Sequence, residues 1–175
     1  TQGETYEYPL VIFPPWINKF YILDLQPENS FVKYSVDQGN TVFLVSWRNT
    51  PPELGKTSWD DYIEKGVFEA MDAVQAITGA KQMNALGFCI GGALLSCALA
   101  VEKVRKKNRV ASVTLLTTML EYTDVGEIGV YLDEKFVNNK EAELQAGKVM
   151  DGRELATTFA SLRANDLIWF FVVNN

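Results

Sequence analysis

Two short apolar runs rich in β-formers stand early in the chain. Residues 8–13 (YPLVIF) are stopped by Pro14 and Pro15, and residues 41–47 (TVFLVSW) are ended by Arg48, Asn49, Thr50 and Pro51. Unbroken apolarity over so few residues predicts buried strands. Between them, residues 20–38 have helical spacing interrupted at Pro27, and Gly39 and Asn40 turn the chain into the second strand. Residues 58–77 (SWDDYIEKGVFEAMDAVQAI) open on a Ser with Asp61 three positions later and stop before Gly79, which predicts a capped helix. Residues 82–88 (QMNALGF) then read as a strand, 90–107 as a helix rich in small residues, and 110–119 (VASVTLLTTM) as a fourth, β-branched strand. Strands that alternate with helices need crossover connections, so the pattern predicts an α/β protein with a parallel sheet and helices on both faces.

After residue 121 the pattern changes. Residues 122–150 mix charges without a clear period, and residues 153–175 return to apolar and aromatic positions. The expected organisation is a partial α/β core at 1–121 and the start of a cap or lid at 122–175.

Composition narrows the function classes. A chain of 175 residues has room for one domain, and 47% hydrophobic with 22% charged residues is ordinary globular usage. No apolar stretch reaches the length of a spanning helix, so no transmembrane segment is expected. The net charge is -6, and the one basic cluster, residues 103–109 (KVRKKNR), falls where a helix should end and would complement its dipole. Nucleic acid is not an expected partner. The first residues lack the basic start of a secretory signal, which points to a cytoplasmic setting. Cys89 and Cys97 lie about 12 Å apart along one helix, too far to bridge, so both should be free thiols. No metal or cofactor is expected.

The chemistry concentrates in Leu86-Gly87-Phe88-Cys89-Ile90-Gly91-Gly92. A Gly-x-nucleophile-x-Gly pattern is informative when it follows a strand and opens a helix, as here, and it points to the nucleophile elbow of an α/β-hydrolase-type fold. The turn is so sharp that the positions two before and two after the nucleophile crowd together, which requires Gly87 and Gly91. The helix N-terminus favours a thiolate and an oxyanion. Cys89 is thus the expected nucleophile and the Ile90 N–H the first oxyanion donor. The second should come from the loop after the first strand, Pro14 to Asn18, where the Ile17 N–H is the candidate because prolines cannot donate. Cys97, among Leu94, Leu95, Ala98 and Leu99, reads as buried filler. Gly92 serves either helix packing or close approach of a substrate.

Such a nucleophile needs a general base, normally a His oriented by an Asp later in the chain. The sequence has no histidine. Asp24, Asp60, Asp61 and Asp124 read as helix-terminal, structural or solvent-facing rather than as substitutes. The chain also starts at an internal-looking strand and stops within an apolar helical run, as a fragment would.

The blocks PPWINKFYILDLQPENS (14–30), GNTVFLVSWRN (39–49), SWDDYI (58–63), LGFCIGG (86–92), VTLLTTMLEYTD (113–124) and RANDLIWFFVVNN (163–175) closely resemble the polyhydroxyalkanoate synthases, in particular the class that polymerises short-chain 3-hydroxyacyl-CoA. That resemblance implies an α/β-hydrolase-type catalytic domain with a cap, a Cys-His-Asp triad, a homodimeric active form and attachment to polyester granules in the cytoplasm. Only the cysteine carries over, onto Cys89; the family's Asp and His belong to segments beyond Asn175. The implied partners are a 3-hydroxyacyl-CoA substrate and the polyester product. Two other readings remain open at this stage: a cysteine hydrolase of the dienelactone-hydrolase type, and a non-catalytic piece.

Overall fold

The computed structural model describes residues 5–17, 19–131, 133–150 and 152–174. The chain divides into two compact units, one of residues 1–49 and 57–120 and the other of residues 50–56 and 121–175.

The first unit holds a four-stranded parallel sheet in the order β2-β1-β3-β4, built from β1 (Leu10–Phe13), β2 (Val42–Leu44), β3 (Met83–Phe88) and β4 (Val110–Leu116). Its register pairs Ile12 with Leu44 on one side and with Leu86 on the other. Helix α1 (Phe31–Asp37) links β1 to β2, capped by the Ser30 hydroxyl, which accepts the Lys33 N–H at 2.8 Å. The next crossover begins as α2 (Trp59–Asp61), widens into a π-helical stretch (Tyr62–Phe68) and continues as α3 (Glu69–Thr78). Ser58 and Asp61 form the capping box anticipated from their spacing. Helix α4 (Ile90–Val104) connects β3 to β4.

Side chains alternate across the pleated strands, so the central strands bury two faces. Val11, Phe13, Met83 and Ala85 pack with Leu94, Leu95 and Ala98 of α4 and with Ile63, Val67, Phe68, Met71 and Val74 of the crossover. Ile12 and Leu86 are buried outside that cluster, on the opposite face.

The basic stretch 103–109 serves this packing. Buried Arg109 donates through Nε to the buried Glu102 carboxylate and through Nη1 to Asp72, and both Arg105 and Arg109 lie over the Phe68 ring at 5.3 and 5.1 Å. Arg105 also pairs with Glu64.

Three expectations need correction. Cys97 is exposed, because it falls with Ala100 and Val104 on the stripe of α4 turned away from the sheet. The fourth strand ends at Leu116 rather than continuing to residue 119, since Thr117 takes a left-handed φ of 44° that breaks the extended chain. Residues 20–38 do not form one interrupted helix; two short 3₁₀ turns, Phe20–Leu23 and Pro27–Asn29, precede α1.

The second unit is helical, with α5 (Glu134–Gln145), α6 (Gly152–Leu162), a π-helical turn (Asn165–Trp169) and α7 (Phe170–Asn174). It leaves Phe159, Trp169, Val172 and Val173 largely exposed. Among the described residues no helix is long and apolar enough to cross a membrane.

Candidate active site

Strand β3 delivers Cys89 to the N-cap position of α4 with φ 55° and ψ −127°, a conformation that a residue with a side chain rarely adopts. Holding it there costs on the order of 1–3 kcal/mol, which the surroundings must offset. They grip both ends of the residue. The Cys89 N–H donates to the Leu116 carbonyl at the end of β4 (2.9 Å), and its carbonyl accepts from Gly92 (2.9 Å) and Ala93 (3.3 Å). The next N–H, that of Ile90, belongs to the first turn, where no helical acceptor exists.

The glycines are explained by contact. A Cβ on Gly87 would lie 2.4 Å from the Gly92 Cα, so strand end and helix start touch backbone to backbone. A Cβ on Gly91 would lie 2.3 Å from the Phe13 carbonyl oxygen and 2.7 Å from that of Pro14. The end of β1 therefore rests directly on the first turn of α4. This brings the loop after β1 beside the elbow.

That loop is held by aromatic residues. Trp47, just past β2, donates its indole N–H to the Pro14 carbonyl at 2.7 Å. Trp16 packs against Trp47, Trp59 and Tyr62 with centroids 5.6, 5.9 and 4.8 Å apart. Ile17 follows, partly exposed, and its N–H has no acceptor among the described residues. Asn18, the last residue of the expected loop, lies outside the described residues. A cleft of about 200 Å³ opens alongside, lined by Trp16, Lys19, Phe20, Ser46, Trp47 and Asn49.

Three of the four aspartates, Asp24, Asp61 and Asp124, have local work. The Asp24 carboxylate accepts the Ser30 hydroxyl, and Asp124 accepts the Gly126 N–H at 2.8 Å. Asp61 bonds to Lys65 and to the backbone and hydroxyl of Ser58, which together hold its carboxyl at about 2, below the ordinary 3.8. Sequence reasoning missed Trp47 and the pair Thr117 and Thr118 at the end of β4. An indole inside an apolar run, which needs an acceptor when buried, was the available signal for the first.

Residues 1–35 match the family model described as the N-terminus of poly-beta-hydroxybutyrate polymerase (PhaC). Over 95% of its length the chain is 49% identical to the poly(3-hydroxyalkanoate) polymerase subunit PhaC of Cupriavidus necator, 42% to that of Rhizobium meliloti and 40% to the poly(3-hydroxyalkanoate) polymerase of Methylorubrum extorquens. The chain is thus similar to these polymerases over nearly its whole length. It spans 27–29% of the length of these three relatives. Among solved structures, a protein of Sulfolobus solfataricus assigned as a lipase matches 66% of this chain and 37% of its own with a TM-score of 0.53 at 19% identity. That likeness supports an α/β-hydrolase-type fold for this chain and nothing about its chemistry.

Proposed function

We propose that this chain carries the nucleophile of a polyester polymerase, which moves 3-hydroxyacyl groups from CoA thioesters onto a growing polyhydroxyalkanoate chain. The observation that carries the reading is Cys89: a thiol on a strained turn at a helix N-terminus, in a chain 40–49% identical to polymerases of this class.

In the first step the Cys89 thiolate attacks the thioester carbonyl carbon. A new C–S bond forms, the bond to CoA breaks, and CoA leaves as a thiolate that takes up a proton. The N–H groups of Ile90 and Ile17 are suited to the oxyanion, since they come from the two segments that Gly91 lets meet. In the second step the hydroxyl of another 3-hydroxyacyl group attacks the enzyme thioester, loses its proton and forms the oxygen ester, releasing Cys89. Sulfur suits this order. Exchange of one thioester for another is nearly balanced, so the activation energy survives for ester formation. A serine would form an oxygen ester first and leave little driving force.

No base is assigned within this chain, which has no histidine. Residues 122–175 are proposed as the start of a cap that excludes water, a reading supported by their exposed aromatic residues. A homodimeric active form and a place at cytoplasmic polyester granules belong to the same proposal. Replacing Cys89 with Ala in the full-length polymerase should abolish CoA release from 3-hydroxybutyryl-CoA; undiminished release would overturn the assignment. Soluble 3-hydroxybutyrate in place of insoluble polymer would favour a cysteine hydrolase instead.

A further inference from the structure

We propose that Thr118 is a positioning residue for the elbow, an inference that rests on Cys89 being the nucleophile. Its first support is steric. A Cβ on Gly92 would lie 2.0 Å from Thr118 Oγ1, 2.9 Å from Cγ2 and 3.0 Å from Cβ, so the branched head of Thr118 sits on the Gly92 backbone. Beneath Gly92 lies Gly87, equally without room for a side chain. Gly87, Gly92 and Thr118 thus form one stack that clamps the turn between strand and helix. The space over Gly92 is occupied by Thr118, which accounts for this glycine through packing rather than through a substrate.

The second support is the hydrogen bonding. Thr118 Oγ1 donates to the Leu116 carbonyl at 3.1 Å, with the Gly87 carbonyl oxygen at 3.5 Å. The Leu116 carbonyl is also the acceptor of the Cys89 N–H. One oxygen therefore ties the nucleophile's backbone to the Thr118 hydroxyl.

The third is strain. Thr117 is β-branched and holds φ 44°, and Cys89 holds φ 55°. Left-handed conformations of this kind persist only where neighbours over-determine them. Here the two strained residues meet through Leu116, and Thr118 closes the loop between them. If the hydroxyl is lost, Cys89 Sγ and the Ile90 N–H shift together relative to a bound thioester. Misplacement of this order reduces turnover without weakening substrate binding.

The test compares Thr118→Val, which keeps the volume and loses the hydroxyl, with Thr118→Ser, which keeps the hydroxyl, in the full-length polymerase. Turnover is divided by the folded fraction of each variant, measured by circular dichroism, so that unfolded protein is discounted. Thr118→Val should lower kcat per folded enzyme by about tenfold with little change in KM, and Thr118→Ser should stay within about threefold of wild type. Equal kcat in Thr118→Val and wild type, or an equal loss in both variants, would overturn the proposal. Should Thr118→Val not fold, the thermal unfolding of Gly92→Ala decides: its destabilisation should shrink when Thr118→Ala is added, and an unchanged effect would overturn the stack. Retained CoA release in Cys89→Ala would instead point to failure of the nucleophile assignment, which the Gly92 and Thr118 coupling does not depend on.

Discussion

At the scale of single residues, the site is a set of distances too short for side chains. Gly91 is the sharpest case, because the atoms facing it are backbone carbonyls of Phe13 and Pro14 and have no rotamer by which to move aside. Gly91→Ala must therefore push β1 and the first turn of α4 apart, separating Ile17 from Ile90. If these two residues supply the proposed oxyanion donors, activity should fall at least as far as removal of one such donor does in other enzymes, about 100-fold, measured as CoA release per folded enzyme. Activity within twofold of wild type would show that the two segments need not touch. The need for Gly87 and Gly91 was legible in the spacing around Cys89, since the sharp turn demands small residues two positions either side. The buttress was not. Thr117 and Thr118 continue a β-branched run, and nothing local in VTLLTTM marks the residue at which the chain leaves the extended region or shows that Thr118 will lie on Gly92, 26 residues earlier.

At the scale of elements, punctuation was the most readable feature. Ser58 and Asp61 announced the start of α2, and the structure shows both reciprocal bonds of the capping box. Asp61 also allows a pH test. Its carboxyl sits at about 2 in the folded chain against an ordinary 3.8, so the ionised form is favoured by folding. The stabilisation is fully present above about pH 4 and is lost as pH falls toward 2. Urea unfolding between pH 5 and 2 should show a smaller acid loss of stability in Asp61→Asn than in wild type; parallel curves would contradict the role given to this carboxylate. Less legible was the π-helical stretch Tyr62–Phe68. Its sequence has ordinary helical character, and its Gly66 lies against the Trp47 ring, with a Cβ there only 2.8 Å from the ring. Cys97 was misjudged for a related reason. In a helix with apolar residues on most sides, composition does not reveal which stripe faces outward.

At the scale of the whole molecule, the alternation of strands and helices made the parallel sheet predictable, while the strand order came only from the structure. β4 pairs with β3 on one side and has no second partner strand among the described residues, and Val113 and Leu115 on it are exposed. An edge of this length with apolar side chains favours association. The 175-residue chain by itself should self-associate in light scattering and release no CoA from 3-hydroxybutyryl-CoA. Turnover by a monomeric 175-residue chain would contradict both statements.

In the proposed reaction the thiol of Cys89 becomes the acyl carrier. The most direct measurement is peptide mass spectrometry of the full-length polymerase, quenched in acid shortly after mixing with 3-hydroxybutyryl-CoA. A 3-hydroxybutyryl group, or a short oligomer of it, is expected on the peptide containing Cys89, labile to hydroxylamine as a thioester is, with the exposed Cys97 unmodified. Acyl groups on Cys97 or on a hydroxyl residue, with Cys89 free while CoA is being released, would contradict it.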